Sequence, residues 1–437
     1  MNATSSSVRL GAMDLYHPLP CPDGWTTRRL RFVTRINKAQ PITLAPVDEV
    51  SFVPMAAIGE HGGIQLDQVK ALDEIGDGYT YFSDGDVVVA KITPCFENGK
   101  GAFAEGLKNG IAFGTTELHV IRPAEEIDGR FLFYLSISEL FRKLGEGAMY
   151  GAGGQKRVPE LFIKDFQALL PPPDQQQKIA AFLDRKTAEI DTLIAKKRRL
   201  LDRLAEKRTA LITRAVTKGL NPDAPMKDSG IEWLGEIPAH WELWKVTHHF
   251  RTIGSGATPP SGDPVYYDGD INWVTTSELR ECGITSTKIK VTEKAFNDIS
   301  SLRVYVAESI VIAMYGATIG RLGWLEQPAT VNQACCVFSE SNIMKQRYLY
   351  YWLFAARSIL ISFSYGGGQP NLSQEYLRSL RTTLPPLSEQ EEIIQHIDEN
   401  IDHIEGAEAK IKGAINRLEE YRSALITNAV TGQIKVA

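Results

Sequence analysis

The chain has 437 residues, of which 43% are hydrophobic and 23% are charged, and its formal net charge is −5. This balance is typical of folded globular domains, and the length predicts two to four of them. The sequence has no run of 18 apolar residues that could cross a membrane, and its five cysteines include no CxxC pair. We therefore expect a cytoplasmic protein without disulfide bonds, whose serine-rich N-terminal tail (residues 1–17) lacks the apolar core of a signal peptide.

The chain contains the same arrangement twice. A shift of 214 residues places residues 155–219 over residues 369–433 without a gap, and about 20 of the aligned pairs are identical. Such a repeat is far longer than a solenoid unit and indicates a duplicated pair of domains. After the tail we predict globular domain 1 at residues 18–172, a helix at 173–219, a linker at 220–236, globular domain 2 at 237–386 and a second helix at 387–437.

Both long helices show the seven-residue repeat of a coiled coil. The second helix starts at Ser388 with the spacing of a capping box, and apolar residues then recur in alternating steps of four and three. The alternative is that each helix packs only on its own globular part. The predicted seam residues are Leu183, Ile190, Leu204 and Leu211 in the first helix and Ile397, Ile404, Ile411, Leu418 and Leu425 in the second.

The two helices have opposite charges. Residues 174–218 contain 12 Lys or Arg and 6 Asp or Glu, whereas residues 388–433 contain 4 and 10. Opposite charges beside a seam favour the pairing of unlike helices. We therefore predict an intramolecular antiparallel coiled coil about 60 Å long. The predicted fold is mixed α+β, with two α+β globular domains joined by two long antiparallel helices and related by an approximate two-fold internal repeat.

This arrangement resembles the specificity subunits of Type I restriction-modification systems. The local patterns that resemble the family are residues 85–86 (GD) and 90–100 (AKITPCFENGK) in globular domain 1, the connector at 230–241, and residues 314–320 (MYGATIG) and 331–334 (VNQA) in globular domain 2. Each pattern alone is a moderate signal, but their order on a duplicated chain makes the resemblance strong. It covers the chain from about residue 19 to its end.

The resemblance implies a non-catalytic host-defence protein. Each globular domain would be a target-recognition domain for one half of a bipartite site in double-stranded DNA, and the helices would set the spacing and dock two adenine methyltransferase subunits. Restriction subunits with motor and nuclease activity would join them for cleavage. S-adenosylmethionine, ATP and magnesium would then bind to those partners and not to this chain. Because the two globular domains differ in sequence, we expect an asymmetric site for DNA methylation.

DNA contacts are expected from polar side chains beside these patterns. Arg and Lys bind phosphates, and Arg, Asn and Gln hydrogen-bond to base edges. Two glycine-rich loops, residues 151–155 and 365–369, each end in Gln, although a tight turn that closes the domain is an equal alternative. An ordinary solvated side chain is the alternative for every candidate. The candidates are Arg28, Arg29, Arg31, Lys91, Asn98, Lys100 and Gln155 in the first copy and Arg321, Asn332, Gln333 and Gln369 in the second.

The sequence contains neither an Asn/Asp-Pro-Pro-aromatic motif nor a GxxxxGK[ST] loop. We therefore predict no catalytic residue, and no metal site at His248 and His249, which lack further ligands at suitable spacing. Cys335 and Cys336 are predicted core residues. Two other classes of protein stay open: a coiled-coil scaffold without DNA specificity, and a single-chain methyltransferase or nuclease. The low net charge predicts that the chain alone binds DNA weakly.

Overall fold

A computed structural model of the chain describes residues 20–38, 40–152, 154–363 and 371–436. The chain divides into two compact units. Unit 1 comprises Met1–Lys197 and Lys412–Ala437, and unit 2 comprises Arg198–Ile411. Each unit thus contains one globular domain and part of both long helices. The predicted N-terminal tail at residues 1–17 lies outside the described residues.

The described residues of globular domain 1 form ten short strands and three short α-helices, after which the first long helix, α4, begins. Strand β6 consists of four buried residues, Val87–Ala90, as expected of a strand whose two faces are both covered. The strands are β1 (Thr26–Arg29), β2 (Thr34–Ile36), β3 (Glu49–Val53), β4 (Val69–Ala71), β5 (Thr80–Ser83), β6 (Val87–Ala90), β7 (Gly101–Phe103), β8 (Ile111–Gly114), β9 (Leu118–Pro123) and β10 (Gln167–Leu170). The helices are α1 (Gly129–Ile137), α2 (Glu139–Ala148), α3 (Glu160–Asp165) and α4 (Pro173–Lys218).

These strands form two four-stranded sheets and one two-stranded ribbon. One sheet has the order β2-β9-β6-β7 and is antiparallel. The other has the order β4-β3-β8-β5, in which β3 and β8 are parallel. The ribbon pairs β1 with β10 directly before α4. The start and the end of globular domain 1 therefore meet where the long helix begins.

Globular domain 2 repeats this plan with a different peripheral sheet. Its sheets have the orders β14-β21-β18-β19-β16 and β17-β15-β20, and its ribbon pairs β13 with β22. The strands are β11 (Met226–Asp228), β12 (Glu236–Pro238), β13 (Glu242–Lys245), β14 (Thr252–Gly254), β15 (Tyr267–Val274), β16 (Gly283–Ile284), β17 (Lys290–Val291), β18 (Ile310–Ala313), β19 (Leu322–Leu325), β20 (Thr330–Val331), β21 (Cys335–Ser339) and β22 (Arg381–Leu384). The helices are α5 (Glu293–Asp298), α6 (Gln346–Ser362), α7 (Gln374–Ser379) and α8 (Leu387–Val430).

The helix that follows the main sheet is broken in globular domain 1 and continuous in globular domain 2. In unit 1, Ser138 caps α2 by accepting a hydrogen bond from the Phe141 N–H, so that α1 and α2 are separate helices. The corresponding α6 continues unbroken through Ala355, because alanine favours the helix interior. The segment predicted as a linker at residues 220–236 contains β11, which pairs with β12.

The long helices α4 and α8 are antiparallel partners in both units. In unit 1, Arg422 of α8 forms an ion pair with Asp191 of α4. In unit 2, Arg208 of α4 lies 3.4 Å from Glu405 of α8. On α4, Arg208 follows Asp191 by as many residues as Glu405 precedes Arg422 on α8. Equal steps in opposite directions are the register of an antiparallel pair. The predicted antiparallel helices and mixed α and β fold are thus confirmed.

Burial varies along the predicted seam. Five of its residues are at most 8% exposed, namely Leu183, Ile190, Ile397, Ile404 and Leu425. The other four are half-buried, namely Leu204, Leu211, Ile411 and Leu418. Two helices alone cover only part of each other's surface, so seam side chains can keep some contact with solvent.

A buried amide at the start of α4 joins globular domain 1 to the helix. Gln176 is 1% exposed, and its Nε2 donates hydrogen bonds to the carbonyl oxygens of Glu126 (3.0 Å) and Pro171 (2.9 Å). Its Oε1 accepts from the Asp128 N–H at 2.7 Å. Asp128 is the N-cap of α1, so this single side chain fixes α1 relative to α4.

The same amide network occurs at the start of α8. Gln390 is fully buried, and its Nε2 donates to the carbonyl oxygens of Ile343 (3.0 Å) and Pro385 (2.8 Å). Its Oε1 accepts from the Lys345 N–H at 2.7 Å. These three hydrogen-bond lengths agree with those around Gln176 within a tenth of an ångström. The two copies therefore share the geometry of this junction as well as its glutamine.

Candidate functional site

In globular domain 1, the structure brings together two segments that the sequence analysis singled out separately. The Thr93 N–H donates to the Lys156 carbonyl at 3.0 Å, and the Val158 N–H donates to the Lys91 carbonyl at 2.8 Å. The segment that contains Lys91 therefore runs beside the residues that follow the glycine-rich loop. Gln155 in that loop is exposed. We call residues 91–93, 115–117 and 155–157 edge 1.

The strongest electrostatic feature of edge 1 is an ion pair between Arg157 and Glu117. Arg157 Nε lies 2.9 Å from Glu117 Oε2, and Nη2 lies 2.7 Å from Oε1. The side chains are 39% and 23% exposed, so the pair faces solvent. Hydrogen bonds from Arg157 lower the pKa of the Glu117 carboxyl group, and the nearby Lys91 acts in the same direction. The carboxylate therefore stays ionised at neutral pH.

The backbone holds Arg157 rigidly. Its N–H donates to the Tyr150 carbonyl at 2.9 Å, and the Tyr150 N–H donates back at 3.1 Å. The next residue, Val158, is 2% exposed and anchors the strand-like segment in the core. Sequence reasoning did not select Arg157 as a site residue, although its position directly after a glycine-rich loop was an available signal.

Globular domain 2 contains a corresponding edge. The Leu372 N–H donates to the Met314 carbonyl at 2.7 Å, and Tyr315 forms an isolated β-bridge with Asn371. The Met314 N–H donates to the Ala334 carbonyl at 2.8 Å. We call residues 314–315, 332–334 and 371 edge 2. The predicted contact residue Gln369 precedes this edge in the chain but lies outside the described residues.

The two edges share one backbone arrangement, which gives a residue-by-residue correspondence. Strand β6, which ends directly before edge 1, corresponds to strand β18, which ends directly before edge 2, and the residues that follow the two strands form the same hydrogen bonds. The Lys91 N–H donates to the Glu117 carbonyl at 2.9 Å, as Met314 does to Ala334, and the Ile92–Arg157 bridge matches the Tyr315–Asn371 bridge. The corresponding pairs are therefore Lys91 with Met314, Glu117 with Ala334, and Arg157 with Asn371.

The turns beside the edges correspond as well. In edge 1 the Thr115 N–H donates to the Val53 carbonyl, and Thr115 Oγ1 accepts from the Glu117 N–H. In edge 2 the Asn332 N–H donates to the Val274 carbonyl, and Asn332 Oδ1 accepts from the Ala334 N–H at 3.2 Å. The predicted contact residue Asn332 therefore caps its own turn with its side-chain oxygen.

Other candidates form hydrogen bonds within the chain. Gln333 is exposed and accepts a hydrogen bond from Thr258. Lys100 donates from Nζ to the Met55 carbonyl at 3.2 Å, and Asn98 donates to Glu60 at 3.1 Å. Arg321 occupies the position that corresponds to Lys100, because its carbonyl accepts from Ala313 as that of Lys100 accepts from Ala90, and its side chain is exposed.

The predicted basic group of globular domain 1 lies at the β1–β2 connection, in contact with α3. Arg29 and Arg31 both form ion pairs with Asp165, whereas Arg28 is exposed on β1. Arg31 also lines a cleft with further basic side chains. That cleft is lined by Arg31, Thr34, Arg35, Ile36, Lys38 and Lys164. Such a cluster suits phosphate oxygens, which carry no sequence information.

Other titratable groups lie in the core. Cys335 and Cys336 are fully buried, and burial raises the pKa of the Cys336 thiol to about 12. His249 stacks on Trp244 at 6.1 Å between ring centroids, and burial lowers the pKa of its imidazole.

Within the described ranges, no three His, Cys, Asp or Glu side chains converge as metal ligands would. No helix in this part of the chain is long and apolar enough to span a bilayer.

Comparison with known proteins identifies one family over most of the chain. The family described as Type I restriction modification DNA specificity domain matches residues 22–202 and 241–417. The Type I restriction enzyme EcoAI specificity subunit of Escherichia coli is 42% identical over 164 residues, which are 37% of this chain and 28% of that protein. The chain thus aligns with under a third of that relative's length. The MjaVIII specificity subunit of Methanocaldococcus jannaschii is 24% identical and aligns over 96% of this chain and 95% of its own.

Solved structures share the fold. A chain from work on complex assembly and conformational transition of the type I R-M system aligns with a TM-score of 0.76 and 17% identity, covering 95% of this chain and 100% of its own. The HsdS subunit from Thermoanaerobacter tengcongensis aligns with a TM-score of 0.55 and 17% identity, covering 96% of this chain and 100% of its own. At this identity the structural likeness extends to the fold alone.

Proposed function

Since the chain belongs to the family of Type I restriction-modification DNA specificity domains, we propose that it is the non-catalytic subunit that selects the DNA site of such a complex. Each globular domain binds one half of a bipartite site in double-stranded DNA. The observation that carries this proposal is the pair of edges: one backbone arrangement, used twice, presents different polar side chains to solvent. Two unlike halves of one target require this combination.

The helices α4 and α8 connect the two binding functions. Their ion pairs and buried seam residues hold them antiparallel, which supports a role in setting the spacing between the half-sites. In this proposal they also dock two methyltransferase subunits, and restriction subunits bind the resulting complex. S-adenosylmethionine, ATP and magnesium then belong to those partners, and the complex acts in the cytoplasm. The net charge of −5 favours partners that supply much of the contact with phosphates.

Methylation mapping in the source organism tests the proposal. Adenine methylation is compared by single-molecule sequencing between cells with the intact gene and cells in which it is deleted. We expect one bipartite motif, with two different half-sites separated by a fixed spacer, to lose methylation on deletion and regain it on complementation. An unchanged methylation pattern after deletion would refute the proposal and would favour a scaffold without DNA specificity.

A further inference from the structure

The exposed ion pair of edge 1 is arranged to present a guanidinium group. Glu117 binds the edge of Arg157 formed by Nε and Nη2. An arginine side chain has five N–H groups, so this arrangement leaves the fork between Nη1 and Nη2 for a further planar acceptor. Such a fork matches the O6 and N7 atoms of guanine in the major groove, which is the commonest specific contact between a protein and a base.

A second arginine of the same domain shows what a purely structural pair looks like. Arg122 also binds a carboxylate with two nitrogens, at 2.7 and 2.6 Å from Asp86, but their side chains are only 12% and 1% exposed. Its guanidinium also donates to Ser83 and to the Lys38 carbonyl. Arg122 therefore stabilises the domain core. Arg157, whose side chain is 39% exposed, faces solvent beside the exposed residues Gln155 and Lys156.

The corresponding position of edge 2 has a different chemistry on the same backbone. Asn371 is exposed, and the next residue, Leu372, is fully buried, as Val158 is after Arg157. Ala334 stands where edge 1 has Glu117. The carboxylate of Glu117 orients the long side chain of Arg157, whereas the shorter Asn371 lies opposite an alanine. An asparagine amide matches the N6 and N7 atoms of adenine.

We propose that Arg157, positioned by Glu117, contacts a guanine in one half-site, and that Asn371 contacts an adenine in the other. The inference rests on the proposed function and names the residues that make the two half-sites different. Glu117 is a positioning residue that acts through Arg157. The backbone correspondence places both contacts at the same point of each edge, directly before a buried anchor residue.

The test uses chromosomal alleles of the full-length chain in its own organism, with adenine methylation mapped as above. Arg157→Ala makes one guanine position degenerate in one half-site and leaves the other half-site intact. Asn371→Ala makes one adenine position degenerate in the opposite half-site. The preference for the correct base falls by roughly 5- to 150-fold in each case, as expected for loss of a paired contact to one base. Glu117→Gln gives a smaller loss at the same guanine as Arg157→Ala.

Lys143→Ala is the matched control, because it removes an exposed cation of the same unit on α2, where the side chain pairs with Glu139. It leaves both half-sites unchanged. If Arg157→Ala methylates the wild-type motif with unrelaxed specificity, or if Arg157→Ala and Asn371→Ala relax the same half-site, the inference is overturned. If deletion of the wild-type gene changes no methylation, the proposed function is overturned, and the inference falls with it.

If a complex that contains a variant methylates no DNA, its base preference is measured by DNA binding instead. The purified complex that contains the variant chain competes for duplexes with single base changes in the wild-type motif. Loss of discrimination at the guanine alone supports the contact by Arg157. Retained discrimination at every position contradicts it. The double variant Glu117→Ala/Arg157→Asn adds a gain of function, because it gives edge 1 both side chains of edge 2 and shifts the preference at that position from guanine towards adenine.

Discussion

The duplicated amide junction predicts a matched pair of stability defects. In the variant Gln176→Ala, three hydrogen bonds disappear, and the Asp128 N–H and two carbonyl groups lose their partner in a site that is 1% exposed. Each of the three buried hydrogen bonds contributes about 1 kcal/mol net, so their loss alone costs about 3 kcal/mol. We expect a destabilisation of about 3 to 4 kcal/mol. Because Gln390 makes the same three bonds, Gln390→Ala should cost the same amount within about 1 kcal/mol.

Urea unfolding of the full-length chain, followed by far-ultraviolet circular dichroism, measures these free energies. Gln177→Ala is the control, since Gln177 is the same residue type on the same helix turn but is exposed. It should lie within about 0.5 kcal/mol of the wild type. If Gln176→Ala unfolds at the same urea concentration as Gln177→Ala, the buried amide does not carry the junction and the energetic reasoning is refuted.

An isosteric variant adds a dependence on pH. In Gln176→Glu, a carboxylate oxygen replaces Nε2 and faces the carbonyl oxygens of Glu126 and Pro171. Burial against two acceptors disfavours the ionised form, which raises the pKa of the new carboxyl group in the folded state above its unfolded value. Relative to the wild type, the variant is therefore least stable at neutral pH and recovers as the pH falls through that raised pKa. A loss of stability that is the same at pH 7 and at pH 4 would contradict this account.

Three further predictions concern the helices and the core. Asp191→Asn leaves Arg422, whose side chain is only 6% exposed, without a charged partner and should cost about 1 to 3 kcal/mol in urea unfolding, whereas Glu405→Gln, in the more exposed pair, should cost less than about 1 kcal/mol. Native protein at pH 8 should react with a thiol reagent at the exposed Cys21 and Cys282 but not at Cys336, because burial raises the pKa of that thiol to about 12; labelling of Cys336 without denaturant would contradict the buried core. Removal of one heptad from both α4 and α8 should shorten the spacer of the methylated motif and keep both half-sites; an unchanged spacer would exclude the helices as its determinant.

The helices were predictable from sequence because their signals are local and periodic. The apolar steps through Ile397 and Ile404 indicated the seam, and the opposite charges indicated the partner helix. Arg208–Glu405 has the expected polarity, whereas in Asp191–Arg422 the acidic residue lies on the basic helix. The strand order of the globular domains was not predictable, because pairs such as β3 with β8 join segments far apart in the chain. The break between α1 and α2 at Ser138 was not predictable either, because it depends on one capping hydroxyl group that the second copy lacks.

The candidate site was also predictable only in part. Sequence patterns located the segments around Lys91 and the glycine-rich loop, and the structure places them side by side. The repeat even aligned Arg157 with Asn371, but nothing in the sequence connected Arg157 with Glu117, because that pair depends on hydrogen bonds between segments whose spacing differs in the two copies. Lys100 and Asn98 were selected by residue type and by their place in the pattern at residues 90–100, and the structure shows that both bond to their own chain.

The two copies keep the same contacts at the buried amide junction and differ in the exposed side chains of the edges. Gln176 and Gln390 differ in no hydrogen bond, whereas Arg157 and Asn371 share a backbone position and little else. Because the buried junction fixes each globular domain on its helix without help from the exposed edge, a substitution in the edge leaves the junction's free energy untouched. Specificity in one half-site can therefore change while the fold and the other half-site stay as they are, which is what a protein that selects unlike half-sites requires.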